Sequence, residues 1–152
     1  GSTAPTGTSY LRLQQGTLSG FLQNWGGDHR NVTTRVGSEG GEKARIEHRM
    51  ADASANPYTA VAAVLQAARL GVENGYDLPS PETGDGFEET VAPGGTAPDL
   101  AGAIADLEAE TALVGAIGPE LVANHVFMKT AEVEKVAELE GDALRDFYIH
   151  VI

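Results

Sequence analysis

Arg45, Glu47 and Arg49, spaced two apart, are the residues of this 152-residue chain best suited to chemistry. On a β-strand that spacing puts all three side chains on one face. Two guanidiniums flanking a carboxylate make a surface for anionic substrates, and the carboxylate is an oxygen ligand for a hard cation. Arg12, Arg30 and Arg35 precede them. By residue type alone Glu47 has two readings, metal ligand or ion-pair partner of Arg45 or Arg49, and the ion pair is the commoner state of such a carboxylate.

These side chains need strands beneath them. Residues 31–36, Asn-Val-Thr-Thr-Arg-Val, are rich in β-branched types and predict a strand, as do 18–24. Residues 37–41 form a Gly-rich turn and 43–50 the next strand. An antiparallel pair closed by that turn brings Arg35 near Arg45 and Glu47. Asn56-Pro57 then opens a helix, Asn as N-cap and Pro at the first helical position. Val61, Val64, Leu65 and Ala68 recur at helical spacing, and Gly71 is the expected stop after Leu70.

Residues 73–97, rich in Gly, Pro and acids, read as a long surface loop whose Gly84-Asp85-Gly86 is a flexible tip. A second helix follows Pro98, with Leu100, Ile104 and Leu107 on one face. A third follows Pro119, with a break expected near its middle, and Gly141-Asp142 opens a short last one. The class is α+β: a few antiparallel strands in the first half and helices in the second.

Charge is uneven. Residues 1–49 hold six Lys and Arg against four acids, while residues 50–152 hold four against eighteen. The Arg-rich first third suits phosphate and carboxylate. The acidic remainder lacks the basic face that nucleic acid or an anionic membrane requires. No apolar run approaches the roughly 18 residues of a membrane span. With no cysteine there is neither a disulfide framework nor thiol chemistry, which fits a cytoplasmic location.

The four histidines show no metal-ligand spacing. His48 alternates to the face opposite Glu47, His29 lies in a turn, His125 on a helix and His150 in the tail. Trp25 is assigned to packing.

Beyond chemistry by type, the order of several segments is specific. Ser9-Tyr10-Leu11-Arg12-Leu13, the stretch Trp25–Arg35, Arg45-Ile46-Glu47-His48-Arg49, Ala55-Asn56-Pro57-Tyr58, Gly75-Tyr76-Asp77-Leu78-Pro79 and the Phe147-Tyr148 ending follow one another along the chain. In that order they resemble glutamine synthetase, with its S-Y-x-R-L, W-G-x-x-N-R-x-x-x-x-R, R-x-E-x-R and A-N-P-Y motifs. His29 stands where that family usually has Asn. The resemblance implies the C-terminal portion of a catalytic domain over residues 1–152, with an expression remnant at Gly1-Ser2, reaching residue 4 at most. A β-grasp domain and most metal carboxylates are implied to precede it in the family, so this portion alone is expected to be inactive.

Roles carried over by the resemblance are as follows. Glu47 matches a ligand of the catalytic Mg2+ or Mn2+. Arg12 and Arg49 match glutamate-binding arginines. Arg30 and Arg35 match the pair that contacts ATP phosphates and the γ-glutamyl phosphate, Arg30 being the catalytic one, and Arg45 serves the nucleotide or phosphate region. Such charge suits phosphoryl transfer, which is catalysed largely by positioning and neutralisation. Tyr76 matches a tyrosine that is adenylylated in some bacterial members. Full-length members are ring-shaped homo-oligomers.

One departure bears on the acceptor. After S-Y-x-R-L the family has P-G-x-E, whose Glu helps form the ammonium pocket. Here Gln15 stands at the Pro and Leu18 at the Glu. Relatives that join glutamate to alkylamines or polyamines also lack this Glu. The resemblance thus implies an ATP-dependent carbon–nitrogen ligase acting on glutamate and an amine. Ordinary glutamine synthesis from ammonia is the alternative, and a non-catalytic assembly module on the same scaffold is a third reading.

Overall fold

A computed structural model describes residues 2–17, 20–87 and 94–150. They fall into two compact units, a sheet unit of residues 11–51 and 77–96 and a helical unit of residues 1–10, 52–76 and 97–152. A short helix α1, Ser9–Arg12, carries the chain from one to the other.

The sheet unit holds three strands in the order β1 (Trp25–Gly27), β2 (Thr34–Val36) and β3 (Ile46–His48). β2 and β3 are antiparallel, as the sequence predicts, in the register Thr34↔His48, Arg35↔Glu47 and Val36↔Ile46. Backbone bonds from Gly37 N to Arg45 O and from Arg49 N to Thr33 O, both 2.9 Å, extend the ladder at either end. The turn between them contains one 3-10 turn, Gly41–Lys43. β1 pairs with β2 in parallel, which makes the sheet mixed. Parallel neighbours usually need a long crossover. Here a short loop suffices because each strand is only three residues long, so the chain has to climb back only about 10 Å.

Polar side chains stitch this unit together. Buried Asn24 donates from Nδ2 to Gly86 O (2.8 Å) and accepts at Oδ1 from Thr33 N (2.9 Å). Leu22 and Val32 are fully buried beside them. The strand expected over 18–24 is reduced, among its described residues, to an isolated bridge between Leu22 and Gly95. Leu18 and Ser19 lie outside the described residues.

Gly84-Asp85-Gly86 is not a flexible tip. Gly84 O accepts from His29 Nε2 (2.7 Å), Gly84 N donates to buried Glu82 (2.8 Å), and Gly86 is pressed onto the backbone of Asn31. Polar composition suggested a free loop, but the loop's backbone groups find partners on β1 and the loop after it.

The helical unit contains α2 (Pro57–Asn74), α3 (Leu100–Ala109), α4 (Thr111–Ile117), α5 (Pro119–Val136) and α6 (Gly141–Ile149). α2 starts as expected: Asn56 Oδ1 accepts from Tyr58 N (2.9 Å) and Thr59 N (3.4 Å). It runs past Gly71, however, and stops at Gly75, which takes the left-handed conformation (φ 62°) that glycine adopts without strain. A glycine inside a helix costs only about 1 kcal/mol relative to alanine. The Arg69–Glu73 pair spans it at 2.9 Å.

α4 was hidden in the sequence by Gly115 and a weak cap. α5 runs unbroken, since no Gly or Pro follows Pro119 within it. Leu100, Ala103, Ile104, Val122 and Tyr148 form the core of the unit. Tyr148 Oη accepts from Gly7 N (2.8 Å) and donates to Glu132 Oε1 (2.9 Å), which ties α6 to the start of the chain and to α5. Burial pushes its pKa up to about 12.

Candidate active site

The antiparallel register puts Arg35 and Glu47 directly opposite each other, so their side chains share one face of the sheet. Arg35 Nη1 donates to Glu47 Oε2 at 3.1 Å. Arg49 Nη1 donates to the other carboxylate oxygen, Oε1. Glu47 is therefore held between two guanidiniums, and the hydrogen bond from Arg49 leads the causes that keep its carboxyl below the usual range. Arg12, half-buried at the end of α1, donates from Nη2 to Met50 O (2.8 Å), beside Arg49 in the chain. Three of the predicted residues, Arg35, Glu47 and Arg49, are thus joined by ion pairs, and Arg12 is bonded to the backbone next to Arg49.

Arg45 and Arg30 make no hydrogen bond or ion pair with that cluster among the described residues. Arg45 is exposed; its side chain lies over Gly37 and Nη1 donates to Lys43 O (3.3 Å). The antiparallel pair expected to bring Arg35 near Arg45 and Glu47 forms, with Glu47 directly opposite Arg35 and Arg45 two positions before Glu47 in the chain. Arg30 is exposed in the loop after β1. Leu18, the candidate amine-pocket residue, lies outside the described residues. In the helical unit, Tyr76 follows the αL cap of α2 with its ring exposed and its hydroxyl 3.0 Å from Asn74 Nδ2.

Asp28, which motif reading did not single out, also contacts the cluster through Arg35. It follows β1 with a left-handed backbone (φ 49°), rare for a residue with a side chain. Its Oδ1 lies 3.3 Å from Arg35 Nη2, and its Oδ2 accepts from Ser38 N (3.3 Å) and from the Ser38 hydroxyl. The Ser38 bond is the main cause of the lowered pKa of Asp28. Arg35 is only 18% exposed, clamped by two carboxylates, and its Nε is buried without a hydrogen bond among the described residues. The signal for Asp28 was Gly-Gly-Asp, a turn sequence in which Asp tolerates αL.

His29 uses both ring nitrogens, Nε2 donating to Gly84 O and Nδ1 accepting from Asn31 N (3.1 Å). Burial lowers the pKa of His48 and of His125. Trp25 is half-buried, and its Nε1 donates to Pro79 O (2.8 Å).

No group of three or more His, Cys, Asp or Glu able to hold a metal occurs among the described residues. Both oxygens of Glu47 are committed to arginines. A hard divalent ion needs about six oxygens, so the described residues alone do not fit one.

The order of these residues on this fold matches a known family: residues 2–148 fit the family model described as "Glutamine synthetase, catalytic domain". The chain belongs to the glutamine synthetase family. Among its relatives, gamma-glutamylethanolamide synthetase GlnA4 of Streptomyces coelicolor is 33% identical over 132 residues, covering 86% of this chain and 28% of that protein. The glutamine synthetase of Methanocaldococcus jannaschii is 32% identical over 136 residues, covering 86% and 30%. A solved structure of ligand-free GmaS superimposes with a TM-score of 0.79 at 29% identity, covering 95% of this chain and 33% of that one. The chain thus spans about a third of the length of these three relatives. No helix among the described residues is long and apolar enough to cross a membrane.

Proposed function

We propose that the full-length protein carrying this chain is an ATP-dependent carbon–nitrogen ligase that converts glutamate to γ-glutamyl phosphate and transfers the glutamyl group to an alkylamine or polyamine. The observation that carries the ligase reading is the Arg35–Glu47–Arg49 cluster at the family's motif positions, with Arg12 drawn beside it. In this reading Arg12 and Arg49 hold the glutamate carboxylate, where a planar fork grips two oxygens at once. Arg30, Arg35 and Arg45 neutralise the phosphates, Arg30 at the transferring group. Glu47 is the one carboxylate of the cluster's core offered to Mg2+ or Mn2+, and the remaining oxygens have to come from outside the described residues. Tyr76, exposed at the end of α2, is a candidate for modification. Assembly into a ring of identical subunits and a cytoplasmic location complete the proposal.

The choice of amine rests on Leu18, which replaces the acidic residue of the ammonium pocket. Loss of a charge-assisted hydrogen bond forfeits about 1.5–3 kcal/mol for ammonium. Each amine methylene buried against leucine recovers roughly 0.8 kcal/mol. Two or three methylenes therefore tip the preference. Similarity to GlnA4, named as a gamma-glutamylethanolamide synthetase, supports this reading. Near-equal similarity to the M. jannaschii glutamine synthetase supports the alternative acceptor, ammonia.

The test is kcat/KM of the full-length protein for ammonia, short alkylamines, ethanolamine and polyamines, with ATP and glutamate present. A substituted amine is expected to win, and Leu18→Glu to move selectivity towards ammonia. A wide margin for ammonia replaces the amine reading with ordinary glutamine synthesis. No turnover with any acceptor leaves the assembly module.

A further inference from the structure

We propose that Asp28 is a positioning residue that aims Arg35 at the phosphate of the reaction, with Ser38 as its anchor; this rests on the ligase reading above. Three observations converge on it. Asp28 itself is immobilised: its N–H donates to Val36 O (2.9 Å), its Oδ2 takes both the N–H and the hydroxyl of Ser38, and its backbone sits at a positive φ. Its other oxygen faces Arg35 Nη2 at 3.3 Å, while Glu47 takes Nη1 at 3.1 Å. The guanidinium is therefore held at both ends by carboxylates from two different segments.

An arginine has five N–H donors in a rigid planar fork. With one N–H on Nη1 and one on Nη2 occupied, each Nη keeps another for an anionic oxygen. Pinning both ends removes rotamer freedom before substrate arrives, so less has to be lost on binding. A single partner, Glu47, would leave the fork free to swing about that contact. Charge adds a second effect. Arg35 and Arg49 are balanced by Asp28 and Glu47, so the cluster stays compact without repulsion between guanidiniums while no anion is bound.

The experiment uses the full-length protein and variants that tolerate αL backbone, Asp28→Asn and Asp28→Gly, together with Ser38→Ala. Steady-state kinetics with ATP and glutamate varied in turn are paired with melting temperatures. Asp28→Asn is expected to lower kcat/KM for ATP by about tenfold, with the glutamate KM within about twofold and the melting temperature unmoved. Asp28→Gly and Ser38→Ala are expected to follow in direction. In an Arg35→Lys background, Asp28→Asn should add less than about twofold, because the two residues act through one contact.

Unchanged ATP kinetics in Asp28→Asn, equal losses for ATP and glutamate, or a full additional loss on top of Arg35→Lys each overturn the inference while leaving the ligase reading in place. A wild-type protein that consumes no ATP with glutamate and any amine overturns the ligase reading, and this inference with it.

Discussion

Arg35 and Glu47 are register partners across β2 and β3, and their side chains close that pairing with a 3.1 Å ion pair. They stand twelve positions apart in the chain. The pair stands at the centre of the cluster because Glu47 also accepts from Arg49, and Arg35 also donates to Asp28.

If Glu47 supplies the metal's carboxylate, Glu47→Gln should raise the Mg2+ or Mn2+ concentration needed for half-maximal rate. Groups that only support a metal ligand are worth about 10–100-fold in affinity, so the ligand itself should cost at least as much. Titrating metal against rate in the full-length protein checks this. Near-normal activity across the titration would make Glu47 an ion-pair residue alone.

Arg49→Lys conserves charge but not the planar fork. The expected signature is a raised KM for glutamate with a smaller change in kcat, as for lost ground-state binding. Varying glutamate at saturating ATP reads it directly. A wild-type KM would remove Arg49 from the glutamate site.

Gly86→Ala should destabilise the protein. A Cβ there would lie 2.2 Å from Asn31 O, a backbone atom that cannot step aside. Overpacking of this kind costs about 1–3 kcal/mol. Gly84→Ala is the control, since its Cβ would meet only Glu82 Oε1 at 3.4 Å. Urea midpoints of the two variants should separate; equal midpoints would show that the 80s loop is free after all.

Acid should weaken the helical unit through His125. Burial, then the charge of Lys129, lowers its pKa in the folded chain, and its Nε2 is buried without a partner among the described residues. The unfolded chain takes up the proton near pH 6.5. Below that pH the unfolded state binds more protons than the folded one, so stability present at neutral pH is lost as pH falls towards and through the folded pKa. His48 has the same sign. His125→Leu should flatten the decline in thermal midpoint between pH 7 and pH 5. An unaltered slope would mean that His125 does not titrate in that window.

Local pattern carried a large part of this protein. The Asn56-Pro57 and Pro119 helix starts depend on neighbouring residues alone, and the structure has both, while the strand expected over 43–50 is shortened to Ile46–His48, which leaves Arg45 and Arg49 just outside it. The motif order was legible for the same reason, and the family match agrees with it.

The rest required the chain to fold back on itself. Alternation predicted three charges on one face, but only the β2–β3 register decided that Glu47 lies directly opposite Arg35, since a shift of one or two residues leaves the local sequence unchanged. Asp28 reads locally as a turn residue; it joins the site because its turn lies beside β2 and Ser38. Gly71 and Gly75 are both plausible helix stops by type, and the choice fell to Gly75, where the backbone turned left-handed. Composition marked Gly84-Asp85-Gly86 as free, yet Asn24, His29 and Asn31 hold it. In each case residues distant in sequence compete for the same hydrogen bonds and the same volume, and that competition is settled only when the chain is packed.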